Sequence, residues 1–159
     1  MEIPFLNLSK QNKKLADEIL PIWKEILESA RFIGGEDVTA FESEVAVACG
    51  TNHCATVGSG TDALRLILIS LGLKPGDEVI TVPNTFIATT EAITQAGGSV
   101  RFVDIDPLTY NLSPTKLVKT LAALSPKARK KIKGIVPVHL YGQLADMDEI
   151  LSIALEHHF

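Results

Sequence analysis

Along most of this chain, short apolar runs alternate with stretches whose apolar residues recur every three or four positions. Pro4 to Leu8 form a short apolar arm. From Ser9 to about Ala30, Leu15, Ile19, Ile22, Trp23, Ile26 and Leu27 fall on one side of a helix. Ser9 is its expected cap, and Pro21 predicts a kink or a division into two pieces. Phe32-Ile33-Gly34-Gly35 breaks the pattern. Val38 to Cys49 is a second predicted helix, with Phe41, Val45 and Ala48 at helical spacing and Gly50 and Asn52 at its end.

The alternation then becomes regular. His53 to Val57 is a predicted strand and Asp62 to Leu71 a helix, followed by a turn at Lys74-Pro75-Gly76-Asp77. Glu78 to Pro83 is a strand, Phe86 to Ala96 a helix closed by Gly97-Gly98, and Ser99 to Val103 a strand. Ser113 as cap and Pro114 at the first helical position open a helix to about Leu124. Lys133 to Val138 is a strand and Asp146 to about Glu156 a helix. Strands alternating with helices predict an α/β fold, a mainly parallel sheet covered by helices on both faces.

Composition narrows this picture slightly. The 159 residues can hold one domain with a real core, and 46% apolar with 21% charged residues is ordinary globular usage. Fifteen basic against nineteen acidic side chains leave a charge of −4, which argues against general nucleic-acid binding. Lys127, Arg129, Lys130, Lys131 and Lys133 form a basic run, read as a solvated helix end and loop. Cys49 and Cys54 are too few for a disulfide framework and form no zinc pattern, so buried reduced thiols in a cytoplasmic protein are expected. The N-terminus does not resemble a signal peptide. The longest apolar stretch, Leu64 to Leu73, is too short for a bilayer and contains Arg65.

Candidate chemistry gathers where parallel strands end. Val57-Gly58-Ser59-Gly60-Thr61-Asp62-Ala63 lies between a predicted strand and a helix. The first amides of a helix lack intrahelical partners, and the helix dipole adds positive charge there, so this turn can form an anion cup. Gly58 and Gly60 are expected to let the backbone turn sharply and approach a ligand closely, and Thr61 and Asp62 add a hydroxyl and a possible cap. An ordinary capped turn would look the same. Three further segments follow the later strands: Asn84-Thr85-Phe86, Asp104-Ile105-Asp106-Pro107 and His139-Leu140-Tyr141-Gly142-Gln143. Each has a plainer role: Phe86 in the core, Asp104 and Asp106 as turn residues, His139 as a hydrogen-bonded structural histidine.

Two other chemistries fit less well. Gly58, Gly60 and Ala63 match G-x-G-x-x-A, but a dinucleotide site needs an acidic residue at the end of the next strand. Here Asp77 and Glu78 precede that strand, and it ends at Pro83-Asn84. An NAD-binding Rossmann domain is therefore the lesser alternative. A metal site from Asp104, Asp106 and His139 has no supporting ligand spacing.

Taken in order, these blocks resemble the N-terminal part of the DegT/DnrJ/StrS group. They are Phe32-Ile33-Gly34-Gly35, Gly58-Ser59-Gly60-Thr61-Asp62-Ala63-Leu64, Gly76-Asp77-Glu78-Val79-Ile80 and Pro83-Asn84-Thr85-Phe86-Ile87-Ala88-Thr89. Phe102-Val103-Asp104-Ile105-Asp106, Pro137-Val138-His139-Leu140-Tyr141-Gly142-Gln143 and Asp146-Met147 complete the series. The group contains sugar aminotransferases of fold type I that depend on pyridoxal phosphate (PLP).

The resemblance implies that amides of Gly60, Thr61 and Asp62 hold the cofactor phosphate, that Phe86 stacks on its ring and that His139 lies near the ring. It implies a nucleotide-linked keto-sugar as substrate, glutamate or glutamine as amino donor, and a homodimer whose interface lies near Gly34-Gly35 and the arm. Residues 1–36 would be arm and helix, and residues 37–159 part of the PLP-binding large domain. The family's acidic partner for the ring nitrogen and its cofactor-bonding lysine come after the fourth strand, beyond Phe159, so no catalytic residue is expected here. The small C-terminal domain lies beyond Phe159 as well. In the family's sheet the first strand is separated from the second and fourth by strands that come later, so His53 to Val57 would be left without neighbours. The chain is thus expected to be an N-terminal piece, inactive alone. A catalytically inactive relative that binds an anion or nucleotide-sugar is the alternative.

Overall fold

The computed structural model describes residues 3–159. The chain divides into two compact units, with the boundary between Thr56 and Val57. The first holds helices α1 (Ser9–Ser29) and α2 (Glu36–Cys49). Helix α1 runs uninterrupted through Pro21, so the expected division into two pieces does not occur. Ser9 is its first helical residue rather than its cap; the Ser9 amide donates to the Asn7 side chain instead. No side chain of α1 is buried, and Trp23 and Leu27 stand 59% and 68% exposed. Gly34 and Gly35, at φ 64° and 103°, make the break that only glycine adopts easily. Glu36 and Asp37 then begin α2 two positions earlier than expected, where carboxylates favour a helix start. Gly50 ends it in the left-handed conformation. Cys49 is exposed and Cys54 half-buried, both as free thiols, which corrects the expectation of buried ones.

His53 to Val57 forms no strand. A β-strand exists only through hydrogen bonds to a neighbour, and among the described residues this segment has no ladder partner. In its place, the Thr56 amide and hydroxyl both donate to the Glu42 carboxylate of α2, at 2.7 and 2.8 Å.

The second unit contains α3 (Gly60–Ser70), β1 (Glu78–Thr81), α4 (Ala88–Gln95), β2 (Ser99–Phe102), α5 (Pro114–Ala123), α6 (Pro126–Arg129), β3 (Ile132–Ile135), a single 3₁₀ turn (Leu140–Gly142) and α7 (Met147–Glu156). Its three strands are all parallel, in the order β2-β1-β3. Period-two alternation along β1 divides the core. Val79 packs with Leu68, Ala92, Ile93 and Ala96 on the α3–α4 side. Ile80 and Val82 pack with Leu117, Leu121, Ile150 and Ile153 on the α5–α7 side. The sheet is therefore covered on both faces, as the sequence pattern requires. The short helix α6, capped by Ser125, was not expected; it takes up part of the basic run.

Helix α3 ends beside the starts of the strands. Its trailing Leu73 meets Gly98, just before β2, where a Cβ would lie 2.6 Å from Leu73 Cδ2. The Lys74 amide donates to Asp77, just before β1. The 11 residues of α3 span about 16 Å, and the 4 residues of β1 about 13 Å. Laid antiparallel along the strands, a helix of that length brings its start to the edge where they end.

Candidate functional site

That edge collects the start of α3, the turn after β1 and the loops after β2 and β3. At α3, Ser59 is the cap: its hydroxyl accepts from the Asp62 amide at 3.1 Å, and its carbonyl accepts from Ala63. The Asp62 amide, expected to act beside those of Gly60 and Thr61, thus donates to its cap. The amides of Gly60 and Thr61 have no acceptor among the described residues. Neither Gly58 nor Gly60 has the left-handed backbone expected of a sharp turn. At Gly58 the constraint is space, since a Cβ there would lie 3.0 Å from Asp62 Oδ2; at Gly60 a Cβ would meet nothing within 4 Å. The cup is therefore two N–H groups at a helix start with no acceptor among the described residues. The Asp62 carboxylate, which would repel an anion, is paired with Arg65 at 2.8 Å.

Phe86 is not a core residue. It precedes α4 and is 76% exposed, while its carbonyl accepts from the Thr89 amide. Thr85 and Thr89 join hydroxyls at 3.0 Å and fix the turn that carries it. An apolar ring held in solvent on a fixed turn is available for stacking.

After β2, Asp104 and Asp106 take the plainer role. Asp104 pairs with Lys116 and accepts from the Ile105 amide. Asp106 accepts from the Leu108 and Thr109 amides. For Asp104 the Lys116 hydrogen bond, then the Ile105 amide, holds the carboxyl below its ordinary value. For Asp106 the Leu108 and Thr109 amides do the same.

After β3, His139 is both exposed and anchored. Its Nδ1 accepts from the Ala145 amide at 3.0 Å, so in the neutral ring the proton sits on Nε2 and points away from that contact. Tyr141, at φ 53°, is fully exposed. Sequence reasoning missed Asn111, which is 2% exposed and bonds to both Leu140 and Gln143. A lone Asn before a Ser-Pro helix start carries no local signal of such a contact.

Two amides without acceptors at a helix start, an exposed ring and an exposed imidazole are thus carried on the loops and helix start of an α/β protein with a parallel sheet. Residues 13–159 match the DegT/DnrJ/EryC1/StrS aminotransferase family, and the chain belongs to it. It is 42% identical over 157 residues, 99% of its length, to a pleiotropic regulatory protein of Geobacillus stearothermophilus, of which it covers 40%. It is 40% identical over 155 residues, 98% of its length, to the UDP-2-acetamido-2-deoxy-3-oxo-D-glucuronate aminotransferase of Pseudomonas aeruginosa, of which it covers 41%. The crystal structure of NtdA from Bacillus subtilis with bound cofactor PMP superimposes with a TM-score of 0.89 at 34% identity, over 99% of this chain and 35% of that one. The chain thus spans about two-fifths of the length of the curated relatives it matches.

Proposed function

We propose that the chain supplies the phosphate cup and one ring face of a PLP-dependent aminotransferase acting on a nucleotide-linked keto-sugar. The observation that carries this is the pairing of unfilled amides at Gly60 and Thr61 with an exposed Phe86 at the same sheet edge. The fit is chemical. The Gly60 and Thr61 amides and the Thr61 hydroxyl would bind a phosphate dianion, helped by the α3 dipole. Phe86 would cover one ring face and exclude water from it, and the Nε2–H of His139 would donate near the ring. When bound, PLP supplies an electron sink for amino-group transfer. The Arg65 guanidinium keeps the Asp62 carboxylate from opposing the phosphate. Residues 37–159 would form part of the large domain, with glutamate or glutamine as donor and a homodimer as the working assembly. Relatives named as aminotransferases support this.

The full gene product, given PLP and glutamate, is expected to convert a UDP- or dTDP-linked keto-hexose into its amino-sugar, read as a mass change of the sugar. A second reading is favoured by the relative named as a pleiotropic regulatory protein: the same cup would hold an anion without transfer. PLP binding with no amino-sugar formed from either nucleotide class would select it.

A further inference from the structure

We infer that Asn111 is a positioning residue that sets the orientation of His139 by clamping the turn between them. Asn111 is itself rigidly placed. Its carbonyl accepts from the Asp106 amide at 2.9 Å, and its neighbour Leu112, 1% exposed, bridges to Ile105. From that fixed point its side chain makes two bonds to a segment about thirty residues away. Oδ1 accepts from the Leu140 amide at 3.1 Å, and Nδ2 donates to the Gln143 carbonyl at 2.9 Å.

Both ends of the Leu140–Gly142 turn are thus tied to one buried amide group. The turn needs it, because Tyr141 and Gly142 both have positive φ, 53° and 85°, a conformation that costs a tyrosine free energy. His139 enters this turn and Ala145 follows it. The Ala145 amide reaches His139 Nδ1 only while the turn keeps its shape. By holding Leu140 and Gln143, Asn111 fixes the backbone between His139 and Ala145, and the Ala145 amide in turn selects which nitrogen of His139 is left free. The turn also closes on itself, the Gly142 amide donating to the His139 carbonyl at 3.1 Å and the Gln143 amide to the Leu140 carbonyl at 3.0 Å, but no side chain other than that of Asn111 bonds to the 140–143 backbone among the described residues. The importance of this orientation for a cofactor rests on the proposed placement of His139 by the ring; the clamp itself does not.

The test uses the full gene product labelled with ring-¹⁵N histidine, with His139 assigned by loss of its signal in His139→Gln. In the unaltered protein without PLP, His139 is expected to show a single Nε2–H tautomer. Asn111→Ala is expected to replace that signature by tautomer averaging and to speed hydrogen exchange at the Leu140 and Ala145 amides, while the β1 amides stay protected. Unchanged tautomer and exchange in Asn111→Ala would overturn the inference. Asn111→Asp keeps the acceptor for Leu140 but sets an oxygen against the Gln143 carbonyl. It is expected to protect Leu140 while loosening His139, and it decides the matter if the Ala variant does not fold: an unaltered His139 signature there overturns the clamp. Titration with PLP separates the two claims. A loosened His139 with weaker PLP binding supports both; a loosened His139 with unchanged PLP binding supports the clamp and contradicts the placement of His139 by the ring.

Discussion

Phe86 shows how a single residue can be read for function against stability. At 76% exposure its ring gives the fold little burial, so Phe86→Ala is expected to change stability by under about 0.5 kcal/mol. The same change removes a stacking face worth roughly 0.5–1.5 kcal/mol, so PLP affinity in the full gene product should fall by about twofold to twelvefold. Urea denaturation and a PLP titration on the same variant separate the two effects. A large stability loss with unchanged PLP affinity would return Phe86 to a packing role. Asp62 teaches the complementary lesson. The family resemblance put its amide in the cup, and in this chain that amide donates to the cap hydroxyl of Ser59.

At the scale of elements, the loop after β2 holds its shape through carboxylates. Asp104 and Asp106 both have carboxyls lowered from an ordinary 3.8 by the donors they accept from. Glu42 is lowered from 4.5 by the Thr56 amide and then the Thr56 hydroxyl. The unfolded chain then binds these protons at a higher pH than the folded one, so the contribution to stability is complete above the ordinary carboxylate values. It is lost as pH falls through the lowered ones. Unfolding followed from about pH 6 to about pH 3 should therefore show an acid limb that flattens in Asp106→Asn; an unchanged limb would mean that Asp106 adds nothing to stability. Elements with local signals were legible in the sequence: the Ser113-Pro114 start of α5, the Gly34-Gly35 break and the Gly50 stop all stand where expected. The apolar run of His53 to Val57 by itself announced a strand and said nothing of a neighbour to pair with; only the family resemblance pointed to its lack of one. Asn111 was missed for the same reason: its bonds cross 29 and 32 residues.

Across the whole molecule, the fold and the candidate chemistry draw on different residues. Stability comes from the Val79 and Ile80 faces of the sheet, while the cup and the ring lie at the edge where the strands end. That separation makes a clean test possible at Gly60. Its backbone lies outside the left-handed region, and a Cβ there meets nothing within 4 Å, so the fold accepts a larger residue. A bound phosphate would not, because the added methyl groups occupy the space in front of the two free amides. The measurement is the PLP dissociation constant of Gly60→Val in the full gene product, beside the unaltered protein. Losing hydrogen bonds to a charged group worth roughly 1.5–3 kcal/mol predicts PLP binding weakened at least about tenfold, with the urea midpoint unchanged. PLP bound equally well by both proteins would contradict the placement of the phosphate at this cup.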